Sequence, residues 1–386
     1  MSMPWRLLGV VGGVTLLALG GVGTPPVGAA VSVGTPHTFG TNTYGQFGDG
    51  SPINERRTSP EPVTGLTNVT QIAGGREHVL ALRADGTVWA WGSNAKGQIG
   101  DGSSVSTRPQ PVSVAGLNSI ESVATGHYHS IALRADGTAW VWGFNSLGQL
   151  GDGTKVKRRA PKRYGGFTTV TQVAGGRDMT LVVLANGTVW CSGSNALGEC
   201  GDGTTVRRLT PVQVDGLSQV VQVAGGRNHA LALRADGTVW AWGLNGSGQL
   251  GDGTRTTRTT PVRVSGLADV VDVVAGAKHS MALLADGTVK TWGENSRGNL
   301  GLGNTTDRLN ATPVLGISNG AEIDAGRDHS MVTTDTGQLY VWGWNKYGQA
   351  GSPTVSNVKS PRIMPGVGGV ISAAGGQAYT VVLAAG

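Results

Sequence analysis

The chain has 386 residues, of which 65 are glycine and only 14% are charged, and its formal net charge is +6 at pH 7. The scarcity of helix formers excludes a helical protein, and the hydrophobic runs that recur between the glycines exclude a disordered one. This composition is typical of short strands joined by tight turns, and the length suits one closed domain with a large core.

The first 30 residues differ from the rest and are predicted to be a secretory signal peptide. Arg6 is followed by an apolar run over residues 7–22, by two prolines and by small residues suited to cleavage after Ala29 or Ala30. The apolar run is short for a membrane span, and an uncleaved anchor is the alternative. Without a cysteine near the cleavage site or a hydrophobic C-terminal tail, we expect a secreted, extracellular protein with no membrane span after cleavage.

One pattern of about 50 residues recurs seven times after residue 30. Each copy contains a glycine pair, most often a histidine, a tight turn, Trp-Gly-x-Asn or a close variant, and a segment similar to Gly-Gln-Leu-Gly-Asp-Gly. A fixed period of this length indicates repeated supersecondary units. The Trp-Gly-x-Asn position is held by Trp91, Trp142, Trp242, Trp292 and Trp342, and by Ser192 and Phe39 in the other two copies.

Each copy predicts four antiparallel strands, as residues 220–264 illustrate. Short apolar runs at 220–224 and 229–233 precede the Asp236-Gly237 hairpin signal, in which both central residues can take positive φ. Residues 238–243 form a third strand with alternating aromatics, and a fourth, outer strand contains a proline. Seven such units predict an all-β, seven-bladed β-propeller, with an open solenoid as the alternative.

The two ends of the chain predict that the ring is closed by a composite blade. The C-terminus stops at the hairpin position of the repeat, and the sequence after residue 30 resumes from that position. Residues 31–64 and 367–386 should therefore form one blade, which removes the exposed edges of an open array. The predicted propeller spans residues 31–386, and its other blades lie at about 67–114, 118–165, 169–216, 219–266, 269–316 and 320–366.

The pattern Gly-x-x-His-x-Leu-Ala-Leu, followed by Gly-x-x-x-x-Trp-Gly-x-Asn-x-x-Gly-Gln-Leu-Gly, resembles the regulator of chromosome condensation repeat family of seven-bladed propellers. The resemblance covers residues 31–386. The family includes a nuclear exchange factor for a small GTPase, interaction modules and secreted bacterial inhibitors of β-lactamases. The signal peptide and the even repeat spacing disfavour the exchange-factor role, and the resemblance implies a secreted bacterial-type member.

The recurring histidines are predicted to be structural. Repeat symmetry places one in each blade, whereas a metal site needs several ligands within about 2.1 Å of one ion. Met179 and Tyr379 occupy the position in two copies, so it does not require a titrating group. We expect buried rings hydrogen-bonded to the turn between the first two strands, at His78, His129, His229, His279 and His329.

The Gly-Asp-Gly segments do not indicate calcium, because each supplies one carboxylate and a calcium site needs about 6–8 oxygen ligands. We predict that these aspartates bond local backbone or the arginine six residues later, as Arg158, Arg208 and Arg258 allow. No catalytic triad or paired carboxylates stand out, so we predict no catalytic residue, metal or cofactor. The aspartates are Asp49, Asp101, Asp152, Asp202 and Asp252.

Two further features stand apart from the repeat. Cys191 and Cys200 lie in the copy that carries Ser192, and they are expected to form a local disulfide, with two buried thiols as the alternative. A basic cluster could bind an acidic partner or an anionic envelope polymer, or be a solvated loop. This cluster consists of Lys155, Lys157, Arg158, Arg159, Lys162 and Arg163.

The variable positions of the repeat are predicted to lie on one face of the ring, named the mixed face. Strand parity places the connections between strands one and two, and between strands three and four, on the same side. Arginines, acids and aromatics gather there, as at interface hot spots, although these positions could simply be unconstrained. The mixed face comprises Arg76, Glu77, His127, Tyr128, Arg177, Asp178, Arg227, Asn228, Lys278, Arg327, Asp328, Tyr44, Phe144, Leu147, Leu244, Trp344 and Tyr347.

These observations favour a secreted, non-enzymatic protein that binds an extracellular protein, in the form of an enzyme inhibitor or an interaction scaffold. A binder of an anionic envelope polymer or polysaccharide is the alternative, which the basic cluster would carry. An extracellular lyase or hydrolase would need dense polar groups in one or two blades near the central channel, and the regular repeat argues against that. We predict no nucleic-acid partner.

Overall fold

The structure, a computed structural model, describes residues 32–386, so the predicted signal peptide at 1–30 lies outside the described residues. The described residues form strands and no helices. Consequently no helix in this range is long and apolar enough to cross a membrane.

The strands follow one another with the regularity that the repeat predicts. In chain order they are β1 (Gly34–Thr41), β2 (Arg56–Pro62), β3 (Val69–Gly74), β4 (His78–Arg83), β5 (Val88–Ser93), β6 (Thr107–Ser113), β7 (Ile120–Thr125), β8 (His129–Arg134), β9 (Ala139–Gly143), β10 (Arg158–Arg163), β11 (Val170–Gly175), β12 (Met179–Leu184), β13 (Val189–Gly193), β14 (Arg208–Gln213), β15 (Val220–Gly225), β16 (His229–Arg234), β17 (Val239–Gly243), β18 (Arg258–Arg263), β19 (Val270–Ala275), β20 (His279–Leu284), β21 (Val289–Gly293), β22 (Arg308–Pro313), β23 (Gly320–Ala325), β24 (His329–Thr334), β25 (Leu339–Gly343), β26 (Val358–Ile363), β27 (Val370–Gly375) and β28 (Tyr379–Ala385).

Consecutive groups of four strands form blades 1 to 6, beginning with β3–β6 and ending with β23–β26. Blade 7 is composite: β27 pairs with β28, β28 with β1, and β1 with β2, all antiparallel. The β1–β28 ladder runs from Gly34 opposite Ala385 to Gly40 opposite Tyr379. The predicted all-β propeller of four-stranded blades is confirmed, and both ends of the described chain contribute to the closing blade.

The hairpins between second and third strands differ in detail from the predicted turn. At the β16–β17 hairpin only Gly237 takes a positive φ, of 74°. The Asp236 carboxylate instead accepts hydrogen bonds from the Thr238 backbone N–H at 3.0 Å and from its hydroxyl at 2.6 Å. The aspartate therefore holds the turn through its side chain, which is a common role of Asp in turns.

Buried tryptophans join neighbouring blades. Trp242 is fully buried, and its indole N–H donates to the carbonyl oxygen of Glu199 in the preceding blade at 2.8 Å. Trp91, Trp142, Trp292 and Trp342 make the same kind of bond. The Trp-Gly-x-Asn repeat thus places one large apolar group and one satisfied donor at each of these contacts between blades.

The blade that has Ser192 in place of tryptophan is compensated by its neighbours. Tyr164 of blade 2 is fully buried, and its hydroxyl donates to Ser192 Oγ at 2.9 Å. The corresponding residue in other blades is a smaller apolar one such as Val214. In the same blade Cys191 and Cys200, both fully buried, are joined by the expected disulfide.

The five repeat histidines are buried as predicted, but the expected hydrogen-bond partner is wrong. Each ring Nε2 lies about 3 Å from a serine or threonine hydroxyl of the next blade, as His229 does from Ser280. Burial lowers the pKa of His229 to about 3, so the ring is neutral. The partner differs because the ring reaches across the gap between blades, packing on the glycine of its own turn, Gly226.

Candidate partner-binding face

The two predicted sets of connections meet on one side of the ring. Arg297, between β21 and β22, donates from Nη1 to Asp328 Oδ2 at 2.8 Å, and Asp328 lies between β23 and β24. Asn228 Nδ2 donates to Glu199 Oε1 at 2.9 Å across the same kind of junction. These contacts bring the two kinds of connection together on one side of the ring, and the use of the mixed face as a binding site remains a prediction.

One group of arginines and aromatic residues on the mixed face lies on blades 5 and 6 and is named the Trp344 cluster. It is formed by Arg297, Arg327, Asp328, Trp344 and Tyr347. The rings of Trp344 and Tyr347 meet edge to face with centroids 5.3 Å apart. The guanidinium carbon of Arg297 lies 4.3 Å from the Trp344 ring centroid, and that of Arg327 lies 5.9 Å from it. Because Asp328 is bonded to both arginines, these side chains are ordered before any partner arrives.

A second group lies on blades 1 and 2 and is named the Tyr128 cluster. The guanidinium carbon of Arg76 lies 5.0 Å from the Tyr128 ring centroid, and His127 and Phe144 each meet Tyr128 edge to face. Lys96 Nζ lies 5.5 Å from the Phe144 ring centroid. Both clusters thus combine cations with aromatic rings, the side chains that dominate many protein interfaces.

The remaining predicted residues of the mixed face are not brought into these clusters. Arg177 pairs with Asp178 at 3.2 Å, and Leu147 and Leu244 are half-buried. The aromatic residues of the mixed face differ in exposure, since Tyr44 is 37% exposed whereas Trp344, Tyr347 and Phe144 are half-buried. The reason is that the cation–aromatic contacts cover part of each ring.

Sequence reasoning missed residues that share repeat positions with those it selected. Lys96 and Arg297 occupy the same repeat position as Leu147 and Tyr347, three residues after the x of Trp-Gly-x-Asn. This shared spacing could have identified them as residues of the mixed face. A series of exposed apolar residues in the loops before the outer strands was also missed. It consists of Ile53, Val105, Val156, Val206 and Val355.

Four arginines line the mouth of the central channel on the mixed face: Arg76, Arg177, Arg227 and Arg327. Burial, together with the charges of Arg76, Arg177, Arg227 and Arg327, lowers the pKa of His127 to about 3. His127 is therefore neutral near pH 7, and the four guanidinium groups converge on the same opening. The mouth is consequently suited to anionic groups.

The channel wall, in contrast, carries carboxylic acids, of which Glu322 is buried and Asp272 and Asp324 are half-buried. Burial raises the pKa of Asp272 to about 6 and that of Asp324 to about 7, and it raises the pKa of Glu322 well above its ordinary value. Asp324 Oδ2 accepts a hydrogen bond from the Gly375 N–H at 2.7 Å. Within residues 32–386 no group of three potential ligands is arranged to hold a metal ion.

The Gly-Asp-Gly aspartates make the contacts predicted for a structural role. Asp252 accepts hydrogen bonds from the Thr254 N–H at 3.0 Å and from Arg258 Nη2 at 2.8 Å, and Asp152 does the same with Thr154 and Arg158. Asp49, Asp101 and Asp202 also pair with an arginine. The prediction of local pairing is confirmed.

The basic cluster does not form one exposed patch. It extends from the loop before β10 along β10 itself, where Arg158 pairs with Asp152 at 2.6 Å and Lys162 lies 3.5 Å from the same carboxylate. Arg159 and Arg163 donate to backbone carbonyl oxygens. Part of its charge is therefore already compensated by the protein.

A family model described as the RCC1-like domain matches residues 35–382. The chain belongs to the RCC1-like domain family. The structure of Prp20p from Saccharomyces cerevisiae superposes on this RCC1-like domain with a TM-score of 0.83, 24% identity and 92% coverage of both chains, which establishes the shared fold. The superposition agrees with a propeller of seven blades. RCC1-like propellers often mediate protein binding.

Two curated relatives match part of the RCC1-like domain. A probable human E3 ubiquitin-protein ligase, HERC6, is 39% identical over 129 residues, which is 32% of this chain and 12% of the relative. The ultraviolet-B receptor UVR8 of Arabidopsis thaliana is 34% identical over 132 residues, 33% of this chain and 30% of the relative. The matched regions therefore span a minor part of both relatives.

Proposed function

We propose that this chain is a secreted, non-enzymatic protein-binding propeller, an extracellular enzyme inhibitor or interaction scaffold, that holds its partner with the mixed face. The Trp344 cluster is the observation that carries the proposal. A half-buried indole packed between two arginines and a tyrosine loses little conformational freedom on binding, so its contact energy is available to a partner.

The comparisons support protein binding in general terms. The yeast protein Prp20p is described with binding properties to Gsp1p and histones. That description belongs to Prp20p, whose identity with this chain is 24%. What it contributes here is that the same propeller can present protein-binding surfaces.

Secretion rests on the sequence of residues 1–30 and is supported by the buried disulfide. Disulfides persist in oxidising compartments and are rare in reducing ones. We expect N-terminal sequencing of exported protein to give a chain that begins at Ala30 or Val31. An intact N-terminus on protein recovered inside the cell would contradict secretion.

An affinity capture experiment tests the binding proposal. The purified chain is immobilised and exposed to culture medium and envelope extract from the source organism, beside the variants Trp344→Ala and Tyr347→Ala. Tyr340→Ala is the matched control, because Tyr340 is a half-buried tyrosine of the same blade, in β25. A protein captured by the native chain and the control, with at least about tenfold less recovered by both cluster variants, is expected.

Two results would contradict this function. Equal recovery of the protein by the native chain and the cluster variants would remove the mixed face as the binding surface. Recovery of an envelope polymer alone, lost on addition of salt and on replacement of exposed Lys155 and Lys157, would transfer the function to the basic cluster. Thermal denaturation of every variant separates lost binding from lost folding.

A further inference from the structure

Seven first-to-second-strand connections form a closed belt around the channel mouth. In each, a backbone N–H donates to a carbonyl oxygen of the next blade at 2.9–3.3 Å, and the bond from Gln377 to Arg76 closes the circle. The belt fixes the position of seven side chains, so their identity decides what the mouth presents. These positions are Arg76, His127, Arg177, Arg227, Ala277, Arg327 and Gln377.

Arg227 differs from the other arginines of the belt in having no counter-ion. Arg76, Arg177 and Arg327 each lie within 3.3 Å of the carboxylate of the following residue. Arg227 is followed by Asn228, and no carboxylate of residues 32–386 lies within ion-pair distance of it. Burial, with the charges of Arg177 and Arg327, lowers the pKa of Arg227. A half-buried cation without a partner is costly, and a bound anion would offset that cost.

The next position of the belt is Ala277, which leaves space that an arginine occupies elsewhere. Between Arg227 and Arg327 lies a cleft of ≈ 120 Å³, named the Ala277 cleft, whose wall includes Lys278 and Arg297. Its carboxylates are Asp328, already bonded to Arg297 and Arg327, and Glu294, 4.0 Å from Lys278. Four cations thus face two carboxylates, which leaves two positive charges in excess: Arg297 and Arg327 share Asp328, and Arg227 has no carboxylate at all.

We propose that the Ala277 cleft receives an aspartate or glutamate carboxylate from an acidic segment of a protein partner, with Arg227 as its counter-ion. This inference rests on the proposed function and names the chemistry of the partner. Guanidinium groups can bind a carboxylate with two parallel hydrogen bonds, and the methyl group of Ala277 leaves room for one. Asp328 and Glu294 would repel a more densely charged polyanion such as a sulfated polysaccharide, which favours a carboxylate segment of a protein.

The test uses a fluorescent oligoglutamate peptide and a matched oligoglutamine peptide, measured by anisotropy at low ionic strength. The native chain should bind only the acidic peptide. Arg227→Gln should weaken binding by about tenfold or more, because a charge-assisted hydrogen bond is lost. Arg234→Gln is the matched control, since Arg234 lies at the other end of β16 and pairs with Asp236 at 3.6 Å.

Ala277→Glu provides an independent readout, because it places a tethered carboxylate in the cleft. It should abolish peptide binding and raise the melting temperature, and Arg227→Gln should not lower the melting temperature. Equal peptide affinity in Arg227→Gln and Arg234→Gln, or unchanged binding in Ala277→Glu, would overturn the proposal. Loss of binding only on replacement of Lys155 and Lys157 would also overturn it.

The two proposals fail in different ways. A captured protein that is lost with Trp344→Ala but retained by Arg227→Gln would leave the protein-binding function intact and refute the cleft. Arg227-dependent binding of oligoglutamate without capture of any protein would refute the function and keep the carboxylate site. Preference of the cleft for heparin over oligoglutamate would refute the assignment to a protein carboxylate.

Discussion

Replacing Tyr164 and Ser192 with the valine and tryptophan found at these positions in other blades should test how the structure tolerates the missing tryptophan. Tyr164→Val alone removes a buried ring and its hydrogen bond to Ser192. From the buried volume we expect a loss of about 3 kcal/mol, with about 1 kcal/mol more for the hydrogen bond. Ser192→Trp alone should cost about 1–3 kcal/mol or more, because the indole would overlap the Tyr164 ring.

The double variant Tyr164→Val with Ser192→Trp should recover most of this loss. It recreates the pair that Val214 and Trp242 form beside Gly201, and the atoms near Gly151 show the equivalent site occupied by Tyr164 and Ser192. The new indole N–H would lie where it can donate to the carbonyl oxygen of Gln149, as the Trp292 indole donates to the carbonyl oxygen of Gln249 in another blade. We expect a stability within about 1 kcal/mol of the native chain and a strongly favourable coupling energy.

Thermal and guanidinium denaturation of the four proteins measure this coupling. Val214→Tyr is the matched control, because it places a tyrosine beside an existing tryptophan and should destabilise as Ser192→Trp does. Destabilisations that simply add in the double variant would refute the idea that Tyr164 replaces the missing indole. The same result would mean that the disulfide and local relaxation maintain this blade.

Two further changes test the closure of the ring and the channel wall. Tyr379→Phe removes the hydroxyl that lies 2.6 Å from the carbonyl oxygen of His78 and 2.9 Å from that of Gly75, both in blade 1. It should cost about 1–2 kcal/mol in denaturation experiments. Unchanged stability would show that this hydroxyl does not hold blade 7 to blade 1. Asp324 has a folded pKa of about 7, above its ordinary value, so its charge opposes folding as pH rises above the unfolded pKa. The full difference in pKa corresponds to about 4 kcal/mol at pH 8. Because Asp324 is only half-buried, we expect Asp324→Asn to raise stability by roughly 2 kcal/mol at pH 8 and to change it little at pH 4. A loss of stability at pH 8 would contradict the assignment.

The fold could be predicted from sequence because its determinants are local and repeated. Trp-Gly-x-Asn and the Asp-Gly turn recur at one period, and the partial repeat at residues 367–386 is continued by the one at residues 31–64. The composite blade therefore followed without any knowledge of distances. The Tyr164–Ser192 contact could not be read in this way, because its two members belong to different blades and meet only when the ring is assembled.

The candidate site could be predicted only in outline. Strand parity placed both sets of connections on one face, and the Arg297–Asp328 contact agrees with that placement. We nevertheless missed Lys96 and Arg297, because only aromatic and apolar residues were selected at that repeat position. Their contribution to the face depends on the rings they contact, Phe144 for Lys96 and Trp344 for Arg297. Ion pairing also reduces the charge that the basic cluster can offer to a partner, because Arg158 pairs with Asp152.

Departures from the repeat fall into two physical classes, and the distinction bears on function. Ser192 and Tyr379 are compensated: Tyr164 bonds Ser192, and Tyr379 donates to the carbonyl oxygen of Gly75. Ala277 instead leaves a cleft, and beside it Arg227 has no counter-ion within ion-pair distance among residues 32–386. A compensated departure preserves the scaffold and needs no partner to account for it. An uncompensated charge at an open cleft lowers stability until a ligand neutralises it, which is the trade-off expected of a binding site.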